Sequence, residues 1–215
     1  DALWAAFDGG ELKKYNLRSV EVGANGDCQY HVLSSVLCDV NLDAHAIRQG
    51  VADELTARNG LYKDFVPVSD GQDHDASYAA FVEKTRTAGE WGDHVTLKAA
   101  CTKYNLSLIV FRSDGHPVHM EPHPGIHSQP PKHGNIAYLS QIHYRATEPL
   151  IYKNKKPMRA KKPRKLVSFE VYVRSFMPAA LSAANRPVEP KVASNKLVWE
   201  INQNAEENTQ YASQK

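Results

Sequence analysis

The stretch N25-G-D-C-Q-Y-H31 sets a cysteine directly after an Asn-Gly-Asp run and directly ahead of the short apolar helical pattern V32-L-S-S-V-L37. Asn25-Gly26 favours a tight turn with positive φ, which makes successive backbone N–H groups converge. A helix starting at Cys28 adds the positive end of its dipole, which stabilises a thiolate. Acyl transfer needs that pairing of a nucleophile with donors for the oxyanion. A small core residue behind a turn is the other reading of a cysteine. It suits Cys101, inside L97-K-A-A-C101, and Cys38.

Working outward, D43-A-H-A-I-R-Q-G-V-A-D-E-L-T-A-R-N-G60 spaces Ala44, Ile47, Val51 and Leu55 on one helical face, with Asp43 as N-cap and Asn59-Gly60 as stop. Helices are expected again over 73–84 and 93–105. L106-S-L-I-V-F-R112 is β-rich, and 117–120, 136–139 and 142–146 are shorter strand candidates. Early helices and late strands predict an α+β fold, with helices packed on a small, mostly antiparallel sheet.

K153-N-K-K-P-M-R-A-K-K-P-R-K165 carries eight Lys/Arg and no acid, and removing those eight takes the chain's formal +2 to −6. Such a block reads as a charged linker, with nuclear import or an electrostatic arm as its functional readings; nucleic acid is not the expected partner. The domain expectation is therefore 1–152 for the chemistry, 153–165 as basic linker and 166–215 as a partly ordered extension. Within that extension L166-V-S-F-E-V-Y-V173 suits a strand or an amphipathic segment, and the polar end reads as unfolded.

The 215 residues are 42% hydrophobic and 23% charged, the balance of an ordinary globular chain. No apolar run reaches the roughly 18 residues of a membrane span, and D1-A-L-W-A-A-F-D8 lacks a secretory pattern. Three widely spaced cysteines suit neither a disulfide framework nor a zinc site. The expected compartment is the cytoplasm, with the nucleus open through the basic block.

A cysteine nucleophile wants a histidine base. His116, His119, His123, His127 and His133 fall in or just beyond a Pro- and Gly-rich loop with Glu121 as its one carboxylate, so no metal or other cofactor is expected there. His143 lies on strand-like I142-H-Y-R-A146, where a scaffold would hold its imidazole.

G26-D-C-Q-Y-H31, E90-W-G-D-H-V-T-L-K-A-A100 and I142-H-Y144, in that order, resemble the ovarian tumour (OTU) family of cysteine deubiquitinases over about residues 12–150. The resemblance implies a papain-like cysteine protease fold and hydrolysis of the (iso)peptide bond after the C-terminus of ubiquitin or a ubiquitin-like protein. It implies Cys28 as nucleophile, His143 as general base and the backbone from Asn25 through Gly26 and Asp27 to Cys28 as oxyanion loop. Trp91 would pack the scaffold, and Tyr144 would border the substrate channel.

The chain departs from the family pattern twice. It writes Asn25-Gly26-Asp27 where the family writes Asp-Gly-Asn, which sets a carboxylate beside the thiol, where it opposes a thiolate unless it points away. Arg145 stands where the family commonly has the residue that orients the histidine, and a guanidinium neither accepts the imidazole N–H nor favours an imidazolium. Glu21, in S19-V-E-V22, is the candidate replacement acid. These departures keep an alternative open: a weak or inactive OTU fold that only binds ubiquitin.

Overall fold

The computed structural model describes residues 2–23, 25–71, 73–140, 142–150 and 160–174. In chain order these form α1 (Ala2–Phe7, continued by a wider helical turn over Asp8–Leu12), β1 (Leu17–Val20), α2 (Cys28–Leu37) and α3 (Ala44–Ala57). Next come α4 (His74–Arg86), α5 (His94–Tyr104), β2 (Leu106–Arg112), β3 (Val118–Met120), β4 (Lys132–Leu139) and β5 (His143–Pro149). β6 (Val167–Ser168) and α6 (Phe169–Arg174) close the described chain.

Aspartates open three of the helices. Asp43 and Asp73 accept from the N–H groups of Ala46 and Ala76, each at 2.7 Å, and Asp93 shares a capping box with Thr96. Each cap satisfies donors that a helix start leaves orphaned.

The strands lie in the order β1-β5-β4-β2-β3-β6. Pairing is antiparallel for β1/β5, β5/β4 and β2/β3, and parallel for β4/β2 and β3/β6, so the sheet is mixed, with antiparallel pairings in the majority. The parallel β2/β4 pair follows from the long loop between β3 and β4, which carries the chain back before it re-enters the sheet. Strand alternation then builds two apolar layers. Leu106, Leu108, Val110 and Ile136 are buried with Val32, Leu33, Ile47, Val51, Leu97 and Cys101 of the helices. On the opposite face Phe111, Ala137 and Leu139 pack with Trp4, Phe7, Leu12 and Leu17, so α1 is part of the core.

The expected boundary at 152 cuts through this arrangement. Val167 pairs with Val118, Phe169 and Val173 are buried, and the Phe169 ring meets Phe65 at 5.4 Å. Residues 160–165 are tied down as well: Ala160 packs against the α1 layer, Lys161 donates its backbone N–H to Tyr15 at 2.8 Å, and Pro163 is buried. The compact unit runs from 1 to 176, and the readings made for 153–159 and for the polar C-terminal end lie outside the described residues. Among the described residues no helix is long and apolar enough to cross a membrane, and no group of three or more His, Cys, Asp or Glu is arranged to hold a metal ion.

Candidate active site

Cys28 is the first residue of α2, and the turn that delivers it uses Gly26 at φ +81°. A Cβ at Gly26 would drive into the carbonyl of Gly89, so the turn needs glycine twice over, for conformation and for space. The thiol is largely buried, and that burial pushes its pKa up. Hydrogen bonds from the backbone N–H groups of Tyr144, Gln29 and Cys28 partly offset the effect. The Tyr144 contact sets the sulfur beside the start of β5, where His143 is the preceding residue.

His143 follows a tight turn from β4, closed by the Ile142 N–H to Leu139 carbonyl bond at 3.0 Å. Its Nε2 hydrogen-bonds Glu21 Oε1 at 2.7 Å, and the Trp4 ring meets the imidazole edge-on at 6.3 Å. Glu21 reaches that position through strand register. Val20 pairs with Ala146, so one further step brings Glu21 level with Arg145. Asp8 fixes the strand by accepting from both Ser19 N–H and Ser19 Oγ.

Arg145 therefore does something other than oppose the imidazole. It ion-pairs with Glu21 Oε2 at 2.8 Å and lies over the Trp4 ring at 4.4 Å. The carboxylate sits between the two basic groups, one oxygen to each. Burial by itself would raise the Glu21 pKa, but the His143 hydrogen bond, the Gly23 N–H and the charges of His143 and Arg145 outweigh it, holding the carboxyl down at about 2. Glu21 stays an anion throughout the neutral range.

The Asn25/Asp27 departure resolves similarly. Asp27 turns from the thiol to Arg48, whose Nε donates to Oδ1 at 2.8 Å, so its charge is matched by a buried guanidinium rather than left to solvent. Asn25 is exposed at the outer edge of the loop.

Curated relatives share most of this sequence span. OVARIAN TUMOR DOMAIN-containing deubiquitinating enzyme 11 of Arabidopsis thaliana is 29% identical over 138 residues, covering 63% of this chain and 51% of the relative. Enzyme 10 of the same plant is 30% identical over 139 residues, covering 63% and 35%. The solved OTUD1 OTU domain aligns with a TM-score of 0.52 at 16% identity, over 68% of this chain and 97% of that domain. The chain has the OTU fold and is similar in sequence to these deubiquitinating enzymes. No protein-family model matches it, and it spans about half or less of the length of these two curated relatives.

Within this OTU fold two aromatic residues sit otherwise than the sequence leads one to expect. The Tyr144 side chain is buried and stacked on Tyr138 at 4.5 Å, so its backbone, not its ring, borders the site. Trp91 is 63% exposed instead of packing the scaffold. It projects from the loop ahead of α5, which Gln29 ties to the start of α2: Gln29 Nε2 donates to the Asp93 carbonyl and its Oε1 accepts from Thr96, both at 2.8 Å. Sequence reading also missed Gln29, Trp4 and Arg48. Only Gln29, adjacent to Cys28, carries a local signal.

Proposed function

We propose that this OTU domain is a cysteine-type hydrolase that cleaves the (iso)peptide bond after the C-terminus of ubiquitin or a ubiquitin-like protein. The observation that carries this reading is the 2.7 Å Glu21–His143 hydrogen bond beside a helix-terminal cysteine. With Nε2 committed to Glu21, Nδ1 is the nitrogen left to take the Cys28 proton. The raised thiol pKa makes that base necessary at neutral pH.

In the first half-reaction Cys28 Sγ attacks the carbonyl carbon as its proton passes to His143. Backbone N–H groups of the 25–28 loop stabilise the oxyanion, and His143 returns the proton to the departing amine. Water, deprotonated by His143, then cleaves the thioester and frees the modifier's carboxylate. Glu21 holds the imidazole and offsets the charge it gains. Ubiquitin enters as substrate class through the relatives' names as deubiquitinating enzymes.

One observation favours the alternative of a weak or inactive ubiquitin-binding fold, the burial that raises the thiol pKa. Ubiquitin bearing a C-terminal electrophile separates the two. Intact mass should show one ubiquitin added to the parent and none to Cys28→Ala. Binding of ubiquitin without covalent capture would select the alternative.

A further inference from the structure

Arg48 is among the largest fully buried side chains of the protein, 1% exposed, and lies on α3 away from Cys28 in sequence. A buried guanidinium must find partners for its N–H groups. Arg48 aims its donors at three segments: Nε and Nη2 at Asp27 Oδ1, Nη1 at the Thr85 carbonyl at 2.8 Å, and Nη2 also at the Glu90 carbonyl. The Tyr30 ring lies 4.1 Å beneath it. Asp27 belongs to the oxyanion loop, Thr85 to the last turn of α4, and Glu90 precedes exposed Trp91. Asp27 Oδ1 also accepts from the Gly89 N–H at 3.3 Å, and Gly26 lies directly against the Gly89 carbonyl. Arg48 thereby joins the loop that carries the oxyanion donors to the loop that carries Trp91, alongside the direct Asp27–Gly89 contact.

Building on the proposed function, we infer that Arg48 is the positioning residue of the oxyanion loop, acting through Asp27 and setting that loop in register with the Trp91 loop. The Asn25/Asp27 interchange gains a purpose on this reading. A carboxylate at 27 gives a fork-shaped cation an anionic anchor next to the nucleophile, while neutral Asn25 leaves the outer edge of the turn uncharged. Lysine would not substitute, because a single ammonium cannot reach Asp27, Thr85 and Glu90 in one plane.

Arg48→Lys and Asp27→Asn test this in the full chain on di-ubiquitin, with active sites titrated by the electrophilic ubiquitin. Misplaced oxyanion donors cost transition-state and not ground-state binding. The expected result is a fall in kcat per titrated site of about tenfold or more, with KM within about twofold. A merely structural role would lower the titre and leave kcat per site unchanged, and that outcome overturns the inference. Amide hydrogen exchange supplies a readout independent of turnover. Residues 25–28 should exchange about tenfold faster in both variants, and unchanged exchange overturns the inference even if the parent proves inactive, a result that would count against the proposed function alone.

Discussion

Glu21, just past the end of β1, and Arg145 of β5 meet at 2.8 Å, and the other oxygen of the same carboxylate holds His143 at 2.7 Å. A cation next to a general base would ordinarily depress it. Here the anion lies between them, so Arg145 pairs with the carboxylate that holds His143, the proposed base.

That arrangement has a pH signature. The Glu21 carboxyl falls from an ordinary 4.5 to about 2, burial opposing the shift and the His143 bond dominating the forces that lower it. A lowered native pKa contributes stability that is complete above 4.5 and is lost as pH falls toward about 2. The melting temperature of the parent should exceed that of Glu21→Gln at neutral pH, and the gap should close over that window. Because Glu21 is half exposed, the gap should stay within about 1 kcal/mol, a few degrees. A gap that is constant across the window would contradict the pairing.

Gly26→Ala should abolish turnover to the limit of detection, since φ +81° and the Gly89 carbonyl both exclude a Cβ. Strain of this kind costs about 1–3 kcal/mol, which thermal melting would register. Retained kcat/KM would show that the loop is looser than its packing indicates.

The three thiols should separate by exposure. Cys38 is exposed, Cys28 buried at the start of α2, and Cys101 buried to a pKa of about 12. Iodoacetamide followed by peptide mapping should modify Cys38 first and spare Cys101 until the protein unfolds. Early modification of Cys101 would contradict the core assignment.

Truncation tests the C-terminal packing. Ending the chain after residue 152 removes the β3/β6 pairing and the buried Phe169, whereas ending it after 176 keeps both. Deleting a buried phenylalanine side chain costs about 3–5 kcal/mol. The shorter chain should therefore melt well below the longer one; equal melting temperatures would make 160–176 dispensable to the fold.

What could be read in the sequence divides along a physical line. Cys28, His143 and the aspartate caps announce themselves locally, through a turn, a strand and a helix start. Glu21 was visible only as a candidate, because its approach to His143 depends on the β1/β5 register, set by residues far apart in the chain. Arg48 gave no local sign, since its role rests on three segments that only the fold brings together. Trp91 reads as a scaffold residue in the sequence, yet its loop turns it outward. The basic block hid the packing of Phe169 by looking like a boundary, although 160–165 lie on the domain with their charged ends outward.

The central claim, a Cys28–His143–Glu21 triad with Arg145 as its brace, is tested most directly by kcat/KM on di-ubiquitin for Glu21→Gln and Arg145→Asn side by side. Losing the orienting acid of a serine triad costs about 10⁴ in rate, and a thiol depends less on its base, so Glu21→Gln should lose about 10²-fold. Arg145→Asn should lose less, since Glu21 keeps its bond to His143. A Glu21→Gln variant equal to the parent together with a faster Arg145→Asn would contradict the claim, leaving a dyad that Arg145 impairs.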